Sequence, residues 1–238
     1  MKEILLRDRL ILPLDVPCVD EAETIIAALG DTVSFYKIGH QLMSIGGFDL
    51  AQKLSVDGKK TFLDLKLLDI GATVEKGVRS ASTLNADFIT IHADPDALIG
   101  AVAGRGDDPR LKILAVTVLT SWDQETLHAS GISMSVEDLV LHRAEMAATH
   151  GADGVVASAK EAAAIRARFG DALSIVTPGV RPKGASANDQ KRVVTPSEAI
   201  KAGADYLVVG RPILQADDLV QAAKAILAEI EAEVDSQP

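Results

Sequence analysis

Apolar runs of four to eight residues recur eight times along this chain, and each is followed by a longer stretch with helical spacing. That alternation is the mark of βα units around a parallel sheet, whose strands are covered on both faces and so read as near-continuous hydrophobic runs. The runs lie at Leu10 to Leu14, Ser34 to Ile38, Thr61 to Leu65, Phe88 to His92, Lys112 to Leu119, Gly154 to Ala157, Ser174 to Thr177 and Tyr206 to Gly210. Helices are predicted near Val19 to Leu29, Gly47 to Val56, Thr73 to Leu84, Asp96 to Ala103, Val136 to His150, Lys160 to Phe169, Pro196 to Ala202 and Asp217 to Val234. Eight of each within 238 residues predicts an α/β fold of the TIM-barrel type, (β/α)8, because open doubly wound sheets usually have fewer strands. A single domain over residues 1–238 is expected, since no linker, low-complexity tract or charge run divides the chain.

Local punctuation agrees with the periodicity. In the last helix Leu219, Val220, Ala223, Ile226, Leu227 and Ile230 share one stripe, with Lys224, Glu229 and Glu231 off it, so that stripe should pack on the barrel exterior. Thr195-Pro196-Ser197-Glu198 spells a capping box with proline at the first helical position, and Gly203 stands where a helix would end. The tail from Asp235 onward is expected to fray.

Charge narrows the choice of partners. Thirty-four acidic against 24 basic residues leave a net charge of −10, which opposes binding to a nucleic-acid backbone or an anionic membrane. An anionic ligand would need a local basic cluster. Cys18 is the one cysteine, which rules out an intramolecular disulfide and a CxxC metal or redox motif and fits a reducing compartment. Met1 to Leu14 mixes Lys2, Glu3, Arg7, Asp8 and Arg9 with apolar residues, the pattern of neither a signal peptide nor a membrane span. A soluble cytoplasmic protein is the expectation.

In a TIM barrel, chemistry belongs where strands end and βα loops begin. The third strand breaks its apolar run there: Thr61-Phe62-Leu63-Asp64-Leu65-Lys66-Leu67-Leu68-Asp69-Ile70. A period of two aims Asp64 and Lys66 at the barrel mouth and Leu65 at a covering helix, while Asp69 lies in the following loop, within reach of the same site or a neighbouring subunit's. An ordinary ion pair is the competing reading, but charges withdrawn from water at the functional face call for a reason. A lysine flanked by carboxylates stays charged, which suits a general acid better than a Schiff-base amine. Asp15 closes the first strand and Lys37 sits in the second. Each alone reads equally well as a cap or a solvated charge; together they suit recognition of hydroxyls or a carboxylate.

A second signal follows the seventh strand. Thr177-Pro178-Gly179-Val180-Arg181-Pro182-Lys183-Gly184 continues to Asn188-Asp189-Gln190-Lys191-Arg192, a long basic loop in an acidic protein. Long loops in compact barrels are usually lids or binding segments, with a solvated surface loop as the alternative. The eighth strand ends Val209-Gly210-Arg211-Pro212, offering a glycine amide and a guanidinium fork. Loops after strands seven and eight commonly hold phosphate, which points to a phosphorylated small molecule as substrate.

Other candidates are weaker. His92-Ala93-Asp94 has a spacing that could suit a metal but lacks a second pair of ligands; His40, His128, His142 and His150 read as surface or helix-end residues. Thr120-Ser121 reads equally as a ligand contact or a turn. GxSxG, HExxH, GxGxxG and Walker motifs are absent.

Taken together, Leu14-Asp15, Lys37-Ile38-Gly39, the DxKxxDI core from Asp64 to Ile70, Thr120-Ser121, Pro178 to Pro182, Asp189 to Arg192 and Val209 to Pro212 resemble the orotidine 5′-monophosphate decarboxylase family over nearly the whole chain. The resemblance implies decarboxylation of orotidine 5′-monophosphate to UMP in pyrimidine biosynthesis, with no metal or organic cofactor. It implies that Lys66 protonates the ring carbon, flanked by Asp64 and Asp69, and that Asp69, Ile70 and Thr73 reach across a homodimer interface into the partner's site. It also implies ribose contacts from Asp15 and Lys37, a pyrimidine contact from Thr120, phosphate contacts from Gln190, Gly210 and Arg211, and a place for Arg181 in a closing lid. The chain departs from the family at Leu67, Leu68, Gly71 and Ala72, where bacterial members often carry Phe, His, Pro and Asn. A magnesium-dependent sugar-phosphate decarboxylase or aldolase of the same superfamily, and a non-catalytic phosphate-binding barrel, are the alternatives.

Overall fold

The computed structural model describes residues 4–182 and 194–236. Eight parallel strands close into a barrel in sequential order: β1 (Leu10–Pro13), β2 (Phe35–Ile38), β3 (Lys60–Leu67), β4 (Phe88–His92), β5 (Lys112–Val116), β6 (Gly154–Val156), β7 (Ser174–Pro178) and β8 (Tyr206–Val208). The expected (β/α)8 barrel is therefore the observed one. The covering helices are α1 (Val19–Leu29), α2 (Phe48–Val56), α3 (Gly71–Ser82), α4 (Pro95–Arg105), α5 (Val136–Thr149), α6 (Ala159–Phe169), α7 (Pro196–Lys201) and α8 (Leu219–Ser236). The Thr195–Glu198 capping box opens α7 as expected, and Ala223, Ile226 and Ile230 of α8 are buried. α8 continues through Ser236, and the last two residues of the tail lie outside the described residues.

Two sets of buried residues follow from the two-residue period. One set points outward and packs the strands against the helices: Leu12, Tyr36, Ile38, Leu63, Ile89 and Ile91 belong to it. The other points inward and plugs the lower barrel, where Phe35, Phe62 and Phe88 meet Ile11, Leu114, Val176 and Val208. Their rings interlock, Phe35 to Phe88 at 4.9 Å between centroids and Phe88 to Tyr206 edge-on at 5.0 Å. Filled from below, the barrel lumen opens toward the strands' C-terminal ends, where this fold carries its sites.

The lower rim is clamped by an aspartate used three times. Asp87, Asp153 and Asp205 each precede an even-numbered strand, and each accepts the amide at the start of the strand before it: Thr61 at 2.9 Å, Ile113 at 2.9 Å and Ile175 at 2.8 Å. Their own amides return the bond to the carbonyls of those same residues. These exchanges satisfy backbone groups that would otherwise lack partners where the ladder begins. Arg105 and Arg166 neutralise two of the clamps, at 2.5 Å from Asp153 and 2.7 Å from Asp205. The charges at this end are accordingly structural.

Boundaries differ from expectation in two places that shape the upper rim. β5 stops at Val116, three residues early, because the Thr117 carbonyl is taken by Arg143 Nη1 from α5. Val118 and Leu119 thus belong to a loop, and that loop carries a short unpredicted helix, Gln124–Ala129, capped by Asp123. β3 runs longer than expected, to Leu67, at the cost of its regularity.

Candidate active site

At the upper end of the barrel lies a cavity of about 510 Å³, within the usual range for small-molecule sites. Its floor is the apolar plug, represented by Phe62, Val156 and Val208. One stretch of wall, from β1 to β3, carries Asp15, Lys37, Asp64 and Lys66; a second, after β7 and β8, carries Arg181, Gly210 and Arg211; Thr120 comes from the loop after β5. The period of two explains much of this: Lys37 sits two residues above Phe35, Asp64 two above Phe62, and Gly210 two above Val208.

The four charges of the first wall alternate in sign. Asp15 lies 3.5 Å from Lys37 Nζ, Lys37 Nζ 3.1 Å from Asp64 Oδ2, and Asp64 Oδ1 2.7 Å from Lys66 Nζ. Asp64 is the pivot, with both oxygens engaged and its side chain 13% exposed. Burial alone would push its acidity down, but the lysine charges and hydrogen bonds outweigh it, and the carboxyl pKa falls from 3.8 to about 2. It is an anion at any physiological pH. Lys66, at 27% exposure, is the more open of the two lysines and faces the cavity.

β3 is not a regular strand where it carries this pair. Its pairing with β4 runs Phe62 to Phe88 and Leu63 to Ile89, then resumes only at Leu67 with Ile91. Asp64, Leu65 and Lys66 therefore oppose the single residue Thr90. Lys66 takes a left-handed conformation with φ of 49°, rare for a residue bearing Cβ and costing about 1–3 kcal/mol. The two-residue rule that predicted a shared direction for Asp64 and Lys66 thus reaches the right neighbourhood by a bulge it did not foresee.

Thr90 and His92 also face inward from β4; the sequence reading passed over Thr90 and weighed His92 only as a metal ligand. Thr90 is fully buried, and His92 stands half-buried above it. The imidazole is held below its ordinary pKa by burial first, then by the Arg143 and Lys66 charges. Asp94, its candidate companion for a metal, instead caps α4 by accepting the Ala97 amide at 3.2 Å. Among the described residues no group of three or more His, Cys, Asp or Glu side chains converges.

On the second wall, Arg181 is buried at 5% exposure, its Nη1 donating to the Val180 carbonyl at 2.8 Å. Its amide donates to Val194 at 2.9 Å, and Val180 bridges Val194, so the two ends of the basic loop are held side by side. Gln190 and most of that loop fall within residues 183–193, outside the described residues. Gly210 is needed as glycine, since a Cβ there would come 2.8 Å from Pro13 Cγ. Arg211 opens a short helix, Arg211–Leu214, and Gln215 just beyond it also lines the cavity, a contact the sequence reading missed.

Asp69, Ile70 and Thr73 are not brought to this cavity. Asp69 instead accepts the Ile70 amide at 2.7 Å, and Ile70 is 70% exposed. Leu68 in the same segment is also exposed, as is Ile99 of α4. The segment's position depends on an unusually close helix pair. A Cβ on Gly100 would overlap the Gly71 carbonyl oxygen, and one on Gly71 would lie 2.9 Å from the Asp96 carbonyl oxygen. The chain's departure at Gly71 is explained by that contact.

A cavity lined by ammonium groups from β2 and β3 and by guanidinium groups after β7 and β8 can hold an anionic ligand and place a proton donor against it. Comparison with known proteins gives this geometry its context. Residues 8–226 match the model of the Orotidine 5′-phosphate decarboxylase / HUMPS family. Orotidine 5′-phosphate decarboxylase of Methylorubrum extorquens (strain PA1) is 57% identical over 225 residues, covering 94% of this chain and 96% of that protein. The protein of the same name from Rhodopseudomonas palustris (strain BisB5) is 56% identical over 224 residues, covering 94% and 95%. The crystal structure of orotidine 5′-phosphate decarboxylase from Lactobacillus acidophilus aligns with a TM-score of 0.83 at 34% identity, covering 94% of this chain and 99% of that one.

Proposed function

Because the chain belongs to the Orotidine 5′-phosphate decarboxylase / HUMPS family, we propose that it decarboxylates orotidine 5′-phosphate to UMP as one barrel domain, with Lys66 as the proton donor. The observation that carries this reading is the Lys37–Asp64–Lys66 array in a cavity that Arg181 and Arg211 also line. Departure of carbon dioxide breaks the bond to the ring carbon and leaves its electron pair there. An ammonium fixed beside that carbon stabilises the growing charge more in the transition state than in the ground state. Transfer of a Lys66 proton forms the new carbon–hydrogen bond, and the neutral amine regains a proton from solvent.

Asp64 keeps that ammonium aimed. Its own anion beside the substrate carboxylate would raise the ground state, a smaller contribution. Asp15 and Lys37 serve the ribose hydroxyls and Thr120 the pyrimidine edge. Arg211 and Gly210, joined by Gln190, bind the phosphate, and Arg181 anchors the loop that closes over it. Binding energy at the phosphate is then spent on closure around a distant ring.

The working form in this reading is a homodimer with shared sites. Support comes from the loop after β3, where Leu68 and Ile70 expose apolar surface on either side of Asp69, as an interface would require. Asp69 of the partner subunit would complete the acidic flank of Lys66. A soluble cytoplasmic protein suits this chemistry; no helix among the described residues is long and apolar enough to cross a membrane.

The test is direct: purified protein, treated exhaustively with chelator, is mixed with orotidine 5′-phosphate and the ultraviolet absorbance followed. Turnover unchanged by chelation supports the reading. Turnover that requires added magnesium favours the sugar-phosphate branch of the superfamily instead.

A further inference from the structure

We propose that Thr90 is a positioning residue for the Lys66 ammonium, its hydroxyl fastening the strained backbone of Lys66 to the carboxylate that Lys66 faces. The proposal rests on the reading of this site as a decarboxylase centre, and names a residue that the reading does not use. Thr90 alone stands opposite the three residues of the β3 bulge, since the ladder passes from Leu63–Ile89 to Leu67–Ile91. Its Oγ1 accepts the Lys66 amide at 3.0 Å and donates to Asp64 Oδ1 at 2.9 Å. That same carboxylate oxygen receives Lys66 Nζ at 2.7 Å. One hydroxyl thereby closes a loop through the main chain and side chain of Lys66 and the side chain of Asp64.

Each bond answers a physical need. The bulge removes the Lys66 amide from its ladder, and a part-buried amide needs another acceptor. The left-handed φ of Lys66 persists only where surrounding bonds enforce it. Valine would match the shape of Thr90 yet supply neither the acceptor for the amide nor the donor for Asp64. The bulge would then lose its fastening at the Lys66 amide and let the ammonium drift from its aim. Thr90 is fully buried beneath the charged layer and does not line the cavity, so its effect must pass through Lys66 and Asp64.

Thr90→Val, Thr90→Ala and Thr90→Ser in the full chain separate this role from packing. Steady-state decarboxylation should show kcat falling by about ten- to a hundredfold in the Val and Ala variants, with KM and UMP affinity within about threefold of wild type. The Ser variant, which keeps the hydroxyl, should stay within about threefold in kcat. A readout free of turnover accompanies it: the Lys66 side-chain nitrogen resonance, shifted from that of free lysine by its bond to Asp64, should move toward the free position in Val and Ala but not in Ser. A Val or Ala variant with wild-type kcat and an unmoved resonance would overturn the proposal, as would a Ser variant falling as far as Ala. Should Val fail to fold, Ala against Ser decides, since both lack the methyl; failure of both Val and Ala to fold beside an intact Ser variant would mark the hydroxyl as purely structural and overturn it too. If wild-type protein leaves orotidine 5′-phosphate untouched, the decarboxylase reading fails, and the resonance alone then judges Thr90.

Discussion

Asp64 and Lys66 are joined at 2.7 Å across a strand bulge in which Lys66 adopts a φ of 49°. Two residues apart in a regular strand they would sit side by side, each free to choose its rotamer. Here the backbone itself is turned to bring the ammonium onto the carboxylate. The conformational cost is met by bonds from β4 and by the second lysine on the far side of Asp64. Pre-organisation of this kind matters to a reaction in which charge appears at one carbon, because a donor already in place need not reorganise as the charge develops.

The acidity of Asp64 gives the first prediction. Its folded pKa of about 2 lies below the ordinary 3.8, so the stability it confers is fully present above pH 3.8 and lost as pH falls toward about 2. Asp64→Asn removes that contribution and leaves two lysines without their shared anion. Urea midpoints of wild type and Asp64→Asn should therefore be well separated at pH 6 and converge below pH 3.8. A gap that stays constant with pH would contradict the coupling.

The phosphate end gives the second. Arg211→Lys keeps the charge but loses the planar fork, and should raise KM for orotidine 5′-phosphate about tenfold or more. With orotidine, which lacks the phosphate, the variant and wild type should be indistinguishable. An equal loss with both substrates would place Arg211 elsewhere in the mechanism.

Shared sites are tested by complementation. Lys66→Ala and Asp69→Ala subunits, each inactive alone, are mixed under conditions of proven exchange. Hybrid dimers should regain one intact site and about a quarter of wild-type activity at equal mixing, the random-assortment estimate for closed twofold dimers. No recovery would confine Asp69 to its own chain.

The helix pair behind that loop supplies a stability test. Gly100→Ala forces a methyl against the Gly71 carbonyl and should cost about 1–3 kcal/mol or more, read as a lower melting temperature. Ala101→Gly, one residue along and buried on the core side, should cost only about 1 kcal/mol from helix propensity, with a further loss of packing of similar size. A Gly100→Ala variant as stable as wild type would deny the close approach.

Much of this was legible in the chain because it rests on repetition. Eight apolar runs and eight helical stripes predict the barrel, and the capping box at Thr195 and the stripe on α8 stand where periodicity puts them. The charged positions Asp15, Lys37, Asp64 and Lys66 were visible as polar residues breaking apolar strands at one end. The bulge was not, since a φ of 49° at a lysine contradicts local propensity and is enforced by β4. Thr90 escaped for a related reason: threonine suits a strand interior, and its role appears only once its partner strand is known. Three Ala-Asp pairs, at Ala86, Ala152 and Ala204, did carry the signal of the lower clamp, spread too far apart to be read as one feature. Asp69, Ile70 and Thr73 lie outside the cavity of their own chain, so the place beside a substrate that the resemblance implies for them is not something one chain can display.

The central claim is that the Lys66 ammonium delivers the proton that replaces carbon dioxide. The most direct measurement follows orotidine 5′-phosphate absorbance with wild type and with Lys66→Ala, alongside the affinity of each for UMP. Asp64 keeps Lys37 as a partner in the variant, so the fold should survive, UMP should still bind, and turnover should vanish. A Lys66→Ala protein that binds UMP and decarboxylates at the wild-type rate would contradict the account.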